Sequence, residues 1–156
     1  METEELLSII ANGEDSKHQF KADFTNVTAV ASEMVAFSNS KGGVLVIGVN
    51  DDGTIAGLGS GDMARLNQLI SNAASQSVRP PINPITENIA LPSGMVMVVT
   101  VDQGISKPYM DNQGLIWVKS AGDKRKVTAR EELQRMYQEA ALVHADEIPV
   151  QGTSVS

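Results

Sequence analysis

Apolar positions recur along the chain in helical and strand-like rhythms, and these rhythms predict most of its elements. Near the N-terminus Leu6, Leu7, Ile9 and Ile10 give the apolar face of a short helix. Thr3 is placed to cap it, Glu4 and Glu5 sit in its positive first turn, and Gly13 ends it. His18 to Ala22 predicts a short strand with Phe20 turned inward and Gln19 and Lys21 outward. Val27, Val30, Ala31, Met34 and Phe37 then recur at helical spacing, the stripe of an amphipathic helix running to about Asn39. Gly42 and Gly43 follow, supplying a residue able to take positive φ just past the helix end. Val44 to Val49 is a nearly unbroken β-branched run, which predicts a strand covered on both faces. Asn50-Asp51-Asp52-Gly53 is turn chemistry, and Thr54 to Gly57 can return beside that strand.

The second half follows the same logic. Gly57 to Asp62 is a glycine-rich loop opening a helix from about Met63 to Ser77, with Asp62 as its N-cap. A glycine-rich helix start can cradle phosphate, but this one lacks the signatures of a P-loop or a dinucleotide fold. Arg79 to Pro84 holds three prolines and must be extended. Ile85 to Ala90 and Met95 to Val101 read as a hairpin around Leu91-Pro92-Ser93-Gly94. Lys107-Pro108-Tyr109 is a loop before a strand from Leu115 to Lys119. Thr128-Ala129-Arg130-Glu131 reads as a capping box, with Leu133, Met136 and Tyr137 facing inward from a closing helix. This inventory predicts an α+β, two-layer domain: three to four helices on a mostly antiparallel or mixed sheet of five to six strands. Residues 1–145 form that single domain, and 146–156 read as a disordered tail or a linker cut short.

Composition narrows the class. At 156 residues, 42% hydrophobic and 20% charged, the chain has globular values. No apolar run approaches the roughly 20 residues of a membrane span. Nor is a secretory leader visible, so a cytoplasmic location is expected. With no cysteine, neither a disulfide framework nor a thiolate metal site is open to it. The net charge of −7 argues against a simple basic nucleic-acid binder. Its distribution softens that, because residues 1–10 and 139–156 each hold three acids and no base. The middle of the chain is close to neutral, which allows a local basic face but on charge alone favours a plain soluble surface.

Candidate chemistry is sparse. A Ser-His-Asp triad or a histidine zinc site would have to rest on His18, since His144 lies near the tail; His18 reads instead as a surface strand residue. Glu14, Asp51 and Asp52 are carboxylates of the kind that hold Mg²⁺ or Mn²⁺ against a phosphodiester. They equally suit turn and loop positions. The stretch from Trp117 to Lys126 gathers Lys119, Lys124, Arg125 and Lys126 around a glycine loop just before a helix. Those bases suit phosphate contacts, or else a solvated turn around a core tryptophan. Lys17, Lys21 and Arg79 widen the patch if they share its face.

The segment from Phe37 to Leu58, FSNSKGGVLVIGVNDDGTIAGL, closely resembles the core motif A-F-A-N-t-x-G-G-x-l-x-i-G-V-x-D-x-G-x-i-x-G of the Schlafen-type Alba-like domain family. Upstream, GEDSKHQFK resembles the family's G-E-s-x-x-x-E-F-K entry, and KPYMDNQGLIWVKSAGDKRKVTAREEL resembles its closing strand and helix. The resemblance runs from about Gly13 to about Met136. It implies a nucleic-acid-binding module like the DNA-binding domain ascribed to bacterial transcriptional regulators. No cofactor is implied, the partner is DNA or RNA, and Lys21, Lys119, Lys124, Arg125 and Lys126 are its candidate contacts. The family's nuclease members imply an alternative, a metal-dependent endoribonuclease. Their acids carry over to Glu14 and Asp51, but the middle acid is replaced by Gln19. A non-catalytic scaffold or homodimerisation module is the third reading, and on balance the chain is not expected to be an enzyme.

Overall fold

The apolar run after Gly42 becomes the second strand of a mixed sheet in a computed structural model, which describes the backbone of residues 1–147 and the side chains of residues 1–142. That strand is β2 (Gly43–Ile47). It lies between β1 (His18–Lys21), to which it is parallel, and β5 (Gly94–Val101), to which it is antiparallel. The sheet ends at β4 (Ile85–Leu91), the hairpin partner of β5, giving the order β1-β2-β5-β4.

Alternation along the strands explains why β2 and β5 lack a polar face. Leu45, Ile47, Met97, Val99 and Val101 pack with α2 (Val27–Ser38) and α3 (Ser60–Gln76). Val46, Val96 and Val98 pack on the opposite face with Phe20 and with Leu6 and Ile10 of α1 (Thr3–Asn12). Helices thus cover both faces, and the fold is α+β. Two ribbons complete it, β3 (Val78–Arg79) with β6 (Met110–Asp111), and β7 (Trp117–Ser120) with β8 (Asp123–Lys126). The last helix, α4 (Arg130–Glu147), extends past the expected domain end. Residues 148–156, most of the expected tail, lie outside the described residues.

The helix–glycine–strand junction is built by two different demands. Asn26 caps α2, its carboxamide oxygen accepting from the N–H groups of Thr28 and Ala29. At the other end the N–H of Gly42 returns to the carbonyl of Phe37 at 2.9 Å with φ at +73°. Gly43 has no positive φ; a Cβ there would overlap the Phe37 ring. One glycine ends the helix and the next lets an aromatic ring reach the strand.

Several local expectations are corrected. Glu2, not Thr3, is the N-cap of α1. Asp62 is the third residue of α3, where its carboxylate accepts from the N–H of Gly59 at 2.8 Å. Thr54 to Gly57 forms no full strand, only a bridge from Val49 to Ile55. The strand expected from Leu115 begins at Trp117. Helix α4 starts at Arg130, one residue later than an N-cap at Thr128 would place it. Met136 is buried, but Tyr137 is 60% exposed, because the helix offers the ribbon only a narrow stripe.

Candidate nucleic-acid interface

Buried Asn39, just past α2, seats the segment that carries the basic residues. Its carboxamide oxygen accepts from the Tyr109 N–H at 2.7 Å, and its nitrogen donates to the carbonyls of Tyr109 and Trp117 at 2.9 and 2.8 Å. Ser40 adds a further tie, its Oγ accepting from the Lys119 N–H at 2.9 Å. The ribbon β7–β8 is thereby laid along α2 and beside β1.

The expected exposed KRK loop is a strand. In the antiparallel register Trp117 faces Lys126 and Lys119 faces Lys124, so these four share one side of the ribbon. Val118 and Arg125 share the other side. Val118 packs with Val127 and Met136. Arg125 forks onto the Glu132 carboxylate of α4 at 2.8 and 2.6 Å. That fork raises the guanidinium pKa and lowers that of Glu132. Arg125 therefore braces the ribbon against α4, away from the lysines.

The lysine side faces α2 and β1. Lys119 Nζ donates to Gln19 Oε1 at 2.7 Å and lies 5.0 Å from the Phe37 ring centroid. Burial pushes its pKa below the usual lysine value, against the pull of Glu33 and Glu14. Lys124 Nζ reaches Glu33 Oε2 at 2.9 Å, and Lys21 Nζ of β1 approaches the same oxygen at 3.9 Å. Lys124 and Lys126 lie over the Trp117 ring at 5.2 and 5.7 Å. The indole N–H of Trp117 donates to buried Asp111 at 2.9 Å, which fixes the ring.

Gln19, expected outward, is only 7% exposed. The reason is the ribbon, which covers the face of edge strand β1 that the alternation had assigned to solvent. Phe20 fills the opposite face. The Gln19 amide bridges two charges, donating to Glu14 Oε2 at 2.6 Å while accepting from Lys119. The same Glu14 oxygen accepts from the Phe20 N–H at 2.8 Å. Asp51 is exposed in the turn, where Asp52, not Asp51, accepts from the Thr54 N–H and hydroxyl. Among the described residues no group of three or more His, Asp or Glu is placed to hold a metal ion. His18 is half-buried, with Nδ1 2.8 Å from the Asp15 carboxylate.

Glu33 escaped the sequence reading. It is 3% exposed, yet it is the centre on which Lys21 and Lys124 converge. A signal was present: Glu33 is the sole charged residue of α2, VTAVASEMVAFS.

The match to known proteins agrees with the motif and the geometry. The family model described as Schlafen, AlbA_2 matches residues 14–128. The chain belongs to that family. Within the matched range the N-x-x-G-G segment is Asn39 to Gly43, whose amide clamp and close-approach glycine are described above. Among solved structures, a Corynebacterium diphtheriae protein matches 80% of this chain at 18% identity with a TM-score of 0.59. This chain spans only 29% of that protein's length. The N-terminal domain of a RecG-related protein from Nitrosomonas europaea, whose name refers to an ATP-dependent DNA helicase, is also similar. It matches 81% of this chain and 94% of its own, at 19% identity and a TM-score of 0.51. At such identities the likeness shows the fold alone. No curated protein matches the chain. No helix among the described residues is long and apolar enough to cross a membrane.

Proposed function

We propose that this Schlafen, AlbA_2 domain binds DNA or RNA through backbone phosphates, as the nucleic-acid-binding module of a transcriptional-regulator-like protein. The observation that carries the reading is the convergence of lysines from separate strands. Lys119, Lys124 and Lys126 lie on one side of the ribbon and Lys21 approaches from β1, with Glu33 paired to Lys124 and Lys21. The name of the Nitrosomonas neighbour, which refers to a DNA helicase, points the same way. An acidic chain of net charge −7 meets long-range repulsion from a polyanion, so these local contacts must outweigh it. Trp117 is held by Asp111 and flanked by lysines, which leaves it unsuited to stacking on bases and favours phosphate contacts.

Metal-dependent RNA cleavage ranks second. It rests on Glu14 and Asp51, and the Gln19 amide holds the place of its middle acid. A neutral amide is a weaker ligand for a hard cation than a carboxylate.

Fluorescence anisotropy with labelled duplexes tests the main reading. With about three phosphates neutralised, log K should fall against log salt with a slope near −3, and Kd should lie around 10⁻⁴ to 10⁻⁶ M at physiological salt. Replacing Lys21, Lys124 and Lys126 together by Ala flattens that slope. Removing Arg125 alone has a smaller effect than removing Lys126 alone, since Arg125 is engaged by Glu132. A parent protein that binds no duplex even in low salt sinks the reading.

A further inference from the structure

Resting on that reading, we infer that Glu33 is a built-in counter-anion that withholds Lys124 and Lys21 from phosphate and so sets the strength of nucleic-acid binding. The carboxylate sits within a helix that is otherwise apolar or neutral, and its side chain is only 4% exposed. Burying a charge is unfavourable unless it is paired, and an apolar residue of similar volume is often as stable in such a place. Glu33 is therefore not explained by packing alone. What it does have is ammonium partners on two strands, Lys124 at 2.9 Å and Lys21 at 3.9 Å.

A carboxylate oxygen and a phosphate oxygen ask the same thing of an ammonium group. Each is an anionic acceptor of N–H donors. Glu33 thus occupies from within the role that a backbone phosphate takes from outside. The lysines stay reachable, since the side chains of Lys124 and Lys21 are 25% and 38% exposed. A phosphate arriving at that mouth must share them with Glu33 or draw them away. A lysine already paired inside the protein neutralises little of a phosphate's charge and so releases few of the counterions condensed on the nucleic acid, adding little to the salt dependence of binding. Lys126 has no carboxylate partner among the described residues and contributes in full.

The Glu33→Gln variant preserves shape and acceptor oxygen while removing the charge. Measured by anisotropy on a short random-sequence DNA duplex, it steepens the slope of log K against log salt by about one unit, from near −3 toward −4, and tightens binding at low salt. Glu33→Asp, which retains the charge, stays near the parent's slope. A purely structural role would lower the unfolding temperature of Glu33→Gln and leave the slope where it was, and that result overturns the inference. Should Glu33→Gln fail to fold, single lysine variants of the otherwise unchanged protein decide the matter. Lys126→Gln lowers the slope by about one unit, and Lys124→Gln by less than half as much. Equal losses from the two variants refute the withholding role while leaving the proposed function intact. Absence of binding by parent and every variant in low salt instead overturns the proposed function, and the inference with it.

Discussion

The junction of α2 with β2 and the ribbon β7–β8 pack against each other, yet they are held by opposite means. At the junction, Phe37, Leu45 and Ile47 are fully buried, and a glycine is placed where a methyl group would overlap the Phe37 ring. The ribbon instead is seated by Asn39, Ser40, the Lys124–Glu33 pair and the Arg125–Glu132 fork. Its apolar share is small, Val118 with Val127 and Met136 on one side and Trp117 on the other. Close packing tolerates no change of shape, whereas polar ties are individually modest and sensitive to salt. The ribbon is thus the part of the molecule able to shift when a polyanion arrives.

Three substitutions test how far that contrast goes. Phe37→Ala removes a fully buried ring from between helix and strand, and should destabilise the domain by about 3–5 kcal/mol in urea unfolding. A loss under about 1 kcal/mol would mean that the junction is not the closely packed half. Ser40→Ala removes an acceptor of the ribbon, and is expected to cost about 0.5–1.5 kcal/mol. An undetectable loss would mean that this hydroxyl does not help to seat the ribbon. Ala121 closes the ribbon at φ +53°. An L-residue in that region is strained by about 1–2 kcal/mol, partly offset by the chain entropy glycine adds, so Ala121→Gly should stabilise by about 0.5–1 kcal/mol. A gain seen in unfolding, with the duplex salt slope unchanged, would mark the tip as a mere connector. A changed slope would draw the tip into the contact surface.

The same contrast explains what could be read in advance. Apolar periodicity located α2, β2 and the β4–β5 hairpin, because a residue buried on both faces of a sheet leaves an unbroken run such as Val44 to Val49. Charged positions carry no such period. Lys124, Arg125 and Lys126 read as a solvated loop, since nothing in their order shows that alternate side chains meet Glu33 and Glu132 on opposite sides of a ribbon. Gln19 read as outward for a related reason. Alternation assigns a side chain to a face, but only the fold shows that β7–β8 covers that face. Tyr137 misled in the other direction, being apolar enough to suggest a stripe that α4 does not bury.

The Asn39 clamp has a kinetic consequence. The Tyr109 N–H is not part of a strand ladder; it donates to a side chain some seventy residues earlier, at 2.7 Å and away from solvent. Its protection from exchange with deuterated water lasts only while the whole segment leading into β7 stays seated on α2. The amides of β2 and β5 open with the sheet, on a slower clock. Comparing the exchange of this one amide with that of Val98, in the presence and absence of a duplex, would time the ribbon's departures separately from unfolding.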